Sequence, residues 1–133
     1  MILDASFLID IMDGDEDALA LANIIEDNGS IQRVPVRVVY ELYVGVGYTE
    51  TPDDEVAKIQ RVLDSRPIVE TTHRIAKLAG RLDGQLRRDG TRVAAGDIII
   101  GATARQFDEP VVTGNPGDFA KIPGVETKTY REG

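Results

Sequence analysis

The stretch MILDASFLIDIMDG, residues 1–14, changes character once, at Asp4. MILD is an apolar run too short for a helix and reads as a buried strand over 1–4. ASFLIDIMDG continues as a short helix that stops near Gly14. A strand passing into a helix at an acid is the first half of a strand–helix–strand unit. The rest of the chain repeats that alternation. DEDALALANIIEDNG predicts a helix over about 15–28, with acids in its first turn and Gly29 at its end. SIQRV (30–34) reads as a strand. Pro35 stands where a helix can begin, since its missing N–H costs nothing there, and VRVVYELYVGV supplies that helix with Glu41 inside it. PDDEVAKIQRVLDS is amphipathic, with Val56, Ile59 and Leu63 at helical spacing.

RPIVET (66–71) reads as the next strand. HRIAKLAGRLDGQLRRDG follows as a helix ended by Gly90, and its stripe Ile75, Leu78, Leu82 and Leu86 is a core face. Ala76 and Ala79 permit close helix approach. AAGDIIIGATARQF is a helix carrying Asp97. PVVTG (110–114) and VETKTY (125–130) close the series as strands, and Asn115-Pro116-Gly117-Asp118 between them reads as a tight turn. Strands alternating with helices predict an α/β fold whose parallel sheet is covered on both faces. Ligands in such sheets sit beyond the carboxyl ends of the strands.

The 133 residues suit a single domain with one core over 1–133. No apolar run is long enough for a membrane span, and the opening residues lack the features of a secretory signal. Together these favour the cytoplasm. Cysteine is absent and His73 is the sole histidine, so thiolate and zinc sites are disfavoured. The net charge of −8 argues against a protein that coats nucleic acid by broad phosphate contact. It is compatible with an enzyme that gathers carboxylates around cations. The 14 Asp and 9 Glu stand against 11 Arg and only 4 Lys. That bias is the kind expected of proteins from a high-salt cytoplasm, where screening makes an acidic surface tolerable.

Four acids occupy unusual places: Asp4 at a strand end, Glu41 in VVYELYVG, Asp97 in AAGDIIIGATA, and Asp118 just after a strand. An ionised carboxylate in apolar company is costly unless something pairs with it. Clustered carboxylates also raise one another's pKa unless a cation joins them. Oxygen-only donors suit Mg²⁺ or Mn²⁺. A single such acid is more often a helix cap or a rim residue, and spacing alone does not bring four of them together.

The same four segments resemble the PIN domain family along nearly the whole chain. MILDASFLIDIMDG resembles the family's first strand and helix, VVYELYVGV its helical Glu, and GDIIIGATA its Asp at the start of a small-residue helix. VVTGNPGDFAKIPGVETKTY resembles its closing segment. The resemblance implies a three-layer α/β/α fold with about five mainly parallel strands ordered 3-2-1-4-5. It also implies an acidic pocket for Mg²⁺ or Mn²⁺ and endonuclease action on RNA. It gives the catalytic and metal-site roles to Asp4, Glu41, Asp97 and Asp118, with Ser6, Thr113 and Asn115 orienting carboxylates and waters. Asn115 and Asp118 both have claims to the fourth place, and charge favours Asp118. The compact length, ELYVGV and TGNPGDF are most similar to toxin ribonucleases of the VapC type. That implies a small antitoxin partner and a homodimer.

The alternatives are a PIN nuclease of RNA processing without an antitoxin, and a PIN-like module that only binds. Arg37 departs from the family pattern. It stands one turn before Glu41, where it contacts RNA or pairs with a surface acid. Arg87, Arg88 and Arg92 are further candidates for RNA contact, against the blander reading of a solvated helix end. Ser6 has no neighbouring base to make it a nucleophile and reads as a helix cap. His73 reads as a cap or surface residue. Tyr40 and Tyr43 suit core or dimer packing better than base stacking.

Overall fold

The computed structural model describes residues 1–131. The elements run β1 (Ile2–Leu3), α1 (Ala5–Met12), α2 (Glu16–Asp27), β2 (Val34–Pro35), α3 (Val36–Tyr48) and α4 (Pro52–Leu63). They continue with β3 (Ile68–Val69), α5 (His73–Arg88), α6 (Ala95–Phe107), β4 (Val111–Val112), α7 (Pro116–Phe119) and β5 (Thr127–Lys128). The alternation read from the sequence is therefore the architecture, with one short helix added.

All strand pairs are parallel. β1 pairs with β4, β4 with β5, and β2 with β3. The two ladders meet at a parallel bridge between Ile2 and Arg33. There Leu3 N–H donates to the Arg33 carbonyl and Arg33 N–H to the Met1 carbonyl, each at 2.9 Å. The order is thus 3-2-1-4-5, with a bridge rather than a full ladder between strands 2 and 1. β1 and β4 lie at the centre, and Ile2, Leu3, Val111 and Val112 are wholly buried. Outer β3 leaves Ile68 exposed.

The strands are shorter than the apolar runs suggest, because an extended segment becomes a ladder only where a neighbour's backbone faces it. Residue 30 lies just past the end of α2 instead, where Ser30 N–H donates to the Ile25 carbonyl. Pro35 closes β2 and precedes α3 rather than opening the helix. The predicted turn 115–118 is α7. Pro116 begins it without loss of a hydrogen bond, and Ala120 N–H closes it onto the Pro116 carbonyl at 2.9 Å.

The core is formed where the helices cover the sheet. Ile75, Ala79, Leu82 and Leu86 of α5 are buried, and the α6 residues Ile98, Ile100, Ala102 and Ala104 are buried with them. Leu78 is partly buried and Ala76 exposed. Thr72 caps α5 by accepting from Ile75 N–H, leaving His73 exposed at its first position. Tyr40 and Tyr43 are not core residues of this chain. They are 61% and 40% exposed, on the side of α3 turned from the sheet. Among the described residues, no helix is long and apolar enough to cross a membrane.

Candidate metal-binding and catalytic site

The carboxyl end of β1 delivers Asp4, and the end of β4 delivers Thr113. Asp4 N–H donates to the Val112 carbonyl at 3.0 Å, which fixes the two strand ends side by side. The buried Asp4 side chain is then gripped on one oxygen. Oδ2 accepts from Ser6 Oγ and from Thr113 Oγ1, both at 2.8 Å. The Ser6 hydroxyl accepts in turn from Gly114 N–H, and the Thr113 hydroxyl from Asn115 N–H, each at 2.9 Å. Each hydroxyl directs its single proton to Asp4 and fills a lone pair from the backbone. Oδ1 is left for the cleft. Ser6 is the second residue of α1 rather than its cap; Asp4 holds the cap position and makes no side-chain cap bond.

Glu41 comes from the second turn of α3 and Asp97 from the first turn of α6. With Asp4, Ser6, Asn115 and Asp118 they line one cleft of about 800 Å³. The proximity has an electrostatic signature. The Asp97 carboxyl is pushed up to about 6 by partial burial, then by the charges of Asp4, Glu41 and Asp118, with Arg37 opposing. Glu41 is raised by burial and by Asp4, while the hydrogen bond and charge of Arg37 pull the other way. Asp118 is half exposed and pairs with Lys121 at 3.3 Å. Asn115 reaches the same cleft, so both claimants to the fourth place border it.

Arg37 pairs with a site acid rather than a surface one. Its Nε stands 3.5 Å from Glu41 Oε1, and its guanidinium lies over the Tyr40 ring at 4.6 Å. Gly96 makes room for the pair. A Cβ there would fall 2.8 Å from Arg37 Nη2 and 3.0 Å from Glu41 Oε1. Arg87 pairs with Asp83 at 2.7 Å on the exposed end of α5, and Arg87, Arg88 and Arg92 are not among the residues lining the cleft.

Sequence reasoning missed a clasp behind the cleft. Tyr130 Oη and the Arg131 guanidinium both donate to Asp10 Oδ2. Tyr130 also packs on Phe7, with ring centroids 5.5 Å apart. The clasp closes against Gly114, where a Cβ would stand 2.6 Å from the Tyr130 hydroxyl. The one available signal was Asp10, an acid inside the apolar run FLIDIM.

The donor set fits a hard divalent cation, being entirely oxygen and gathered on one cleft. Among the described residues, no group of three or more acid, histidine or cysteine side chains stands close enough together to hold a metal ion as packed. The four carboxylates border the cleft without meeting at one point.

An α/β chain with strand order 3-2-1-4-5 and an acidic cleft at its strand ends matches the architecture the four motifs imply. The chain belongs to the PIN domain family, whose profile matches residues 1–125. Ribonuclease VapC2 of Haemophilus influenzae is 27% identical to it over 92 residues, covering 69% of this chain and 70% of that one. Among solved structures, VapBC2 from Rickettsia felis, bound to a DNA fragment from its promoter, aligns with a TM-score of 0.90. That likeness covers 98% of both chains at 18% identity. VapBC-5 from Mycobacterium tuberculosis, a member of the VapBC family of toxin–antitoxin systems, aligns with a TM-score of 0.72 over 98% and 97% at 24% identity. At these identities the structural likenesses show the fold.

Proposed function

We propose that this protein is a Mg²⁺- or Mn²⁺-dependent endoribonuclease and the toxin of a VapBC-type pair. The observation that carries the reading is the convergence of Asp4, Glu41 and Asp97 on one cleft, where Asp97 bears the charge of both others and of Asp118. Such a cluster is electrostatically incomplete without a cation.

Asp4, Glu41 and Asp97 would hold the ion, with Asp118 or Asn115 completing the set. When bound, the ion supplies Lewis-acid charge that acidifies water and offsets the negative charge of a phosphate. The chain's own residues do the rest. Ser6 and Thr113 fix Asp4 with one oxygen turned to the cleft, and such supporting bonds govern how well a carboxylate serves as a ligand. Asp97, crowded by the charges of Asp4, Glu41 and Asp118, is the carboxylate that the ion would relieve most. An RNA strand laid in the open cleft would bring its phosphate to the ion. Ser6 Oγ, which donates to Asp4 and accepts from Gly114 N–H, serves to orient that carboxylate rather than to attack the substrate.

The antitoxin follows from the relatives, two of which are VapBC complexes in their solved structures. A homodimer is supported by the exposed apolar face of α3, with Tyr40, Tyr43, Val44 and Tyr48. The decisive test is cleavage of a mixed RNA pool by purified protein with Mn²⁺ or Mg²⁺. Cleavage is expected to disappear with EDTA and in Asp97→Asn. Cleavage that survives EDTA would refute metal dependence, and full activity in Asp97→Asn would refute the site.

A further inference from the structure

We propose that Arg37 is a resident cation of the site, which competes with the divalent ion for Glu41 and so sets the ion concentration at which the cleft fills. The inference rests on the metal-dependent reading above and adds a residue that opposes it.

Among the described residues, two of the four acids have a basic partner. Lys121 approaches Asp118 at 3.3 Å, but that pair is about half exposed and solvent screens it. Arg37 and Glu41 are less open, with side chains 33% and 29% exposed. Three features hold the guanidinium there. It rises from α3 one turn before Glu41. The Tyr40 ring lies against it at 4.6 Å. Gly96 leaves the space that a Cβ would take from both Arg37 and Glu41.

The contact is also built to yield. A single Nε–Oε1 approach of 3.5 Å is long for a charge-assisted bond and lacks the bidentate geometry of a tight arginine–carboxylate pair. Arginine does not lose its proton in proteins, so no change of pH removes this competitor. A better cation is needed to displace it. The guanidinium therefore offsets part of the cluster's repulsion in the ion-free protein and must be outbid at Glu41 before the ion is fully ligated.

The experiment is a calorimetric titration of metal-free protein with MnCl₂, with thermal unfolding of each variant as a check on folding. Arg37→Met, which keeps length but not charge, is expected to bind Mn²⁺ about tenfold more tightly than wild type, within the range of ordinary site-to-site coupling. Arg37→Lys should stay near wild type. Tyr40→Ala, which removes the ring behind the guanidinium, should tighten binding by a smaller factor. Lys121→Gln should change it least. Unchanged or weaker binding in a folded Arg37→Met would overturn the proposal, as would a Lys variant indistinguishable from the Met variant. If neither wild type nor Arg37→Met binds Mn²⁺, the metal-dependent reading itself fails, and this inference with it.

Discussion

Asp4 and Asp97 face the same cleft in opposite conditions. Asp4 is held by two hydroxyls whose own positions are set by backbone N–H groups at 2.9 Å. Asp97 stands among like charges with Arg37 as its counterweight, and its carboxyl rises to about 6. One side of the cleft is finished before any ion arrives; the other is left in tension. A ligand already oriented loses little freedom when it binds, while an unsatisfied cluster gains most when a cation enters. The division of labour lets a 133-residue chain combine a firm fold with a cleft that would respond to the proposed ion.

Substitution on the tense side should cost activity without costing stability. Asp97→Asn removes a repelled charge, so cleavage should fall by more than the roughly 100-fold typical of lost supporting partners. Its metal-free melting temperature should match or exceed that of wild type. A large drop in melting temperature would show that Asp97 stabilises the fold and would erase the contrast.

Substitution on the finished side should cost both. Thr113→Val keeps the shape but removes a buried hydroxyl, which should destabilise the protein by about 1–3 kcal/mol in urea titrations. The same change should weaken Mn²⁺ binding about 10- to 100-fold. A variant that loses stability but keeps its affinity would mean that Asp4 needs no orientation.

The pH dependence separates the sides more finely. Between the ordinary value of 3.8 and about 6, folded Asp97 keeps a proton that the unfolded chain has released. Its contribution therefore favours the folded state at low pH and is lost as pH rises through about 6. Wild-type melting temperature relative to Asp97→Asn should fall by about 4 °C across that window without metal, and saturating Mn²⁺ should flatten the difference. A relative midpoint that rises with pH would invert the assignment. The smallest effect is expected farthest from the contrast. Arg87→Ala removes an exposed pair with Asp83 outside the cleft lining, and both melting temperature and cleavage rate should be unchanged. A clear loss of cleavage would instead extend the RNA path to the end of α5.

The order of elements was legible in the sequence because apolar periodicity reports directly on which faces are buried. The strand lengths were not, since a ladder depends on a neighbour that may be a hundred residues away. Asp4, Glu41 and Asp97 stood out because each is an acid where burial makes acids expensive. Their convergence was carried by the family resemblance, not by spacing. Arg37 was visible as an anomaly, but its partner was not, because pairing with Glu41 depends on the clearance that Gly96 leaves. The partners of Asp10 in its clasp with Tyr130 and Arg131 were hidden for the same reason as the strand ends.

That clasp bears on when the proposed site is assembled. Tyr130 meets Asp10 across 120 residues, and Thr113 meets Asp4 across 109. Contacts this distant in sequence close long loops and slow folding. A chain still leaving the ribosome, or one abandoned before residue 113, has Asp4 and Glu41 but neither Thr113 nor Asp118. The proposed site is thus the last part of the fold to exist, since two of the residues around its cleft are still missing when the rest of the chain has emerged.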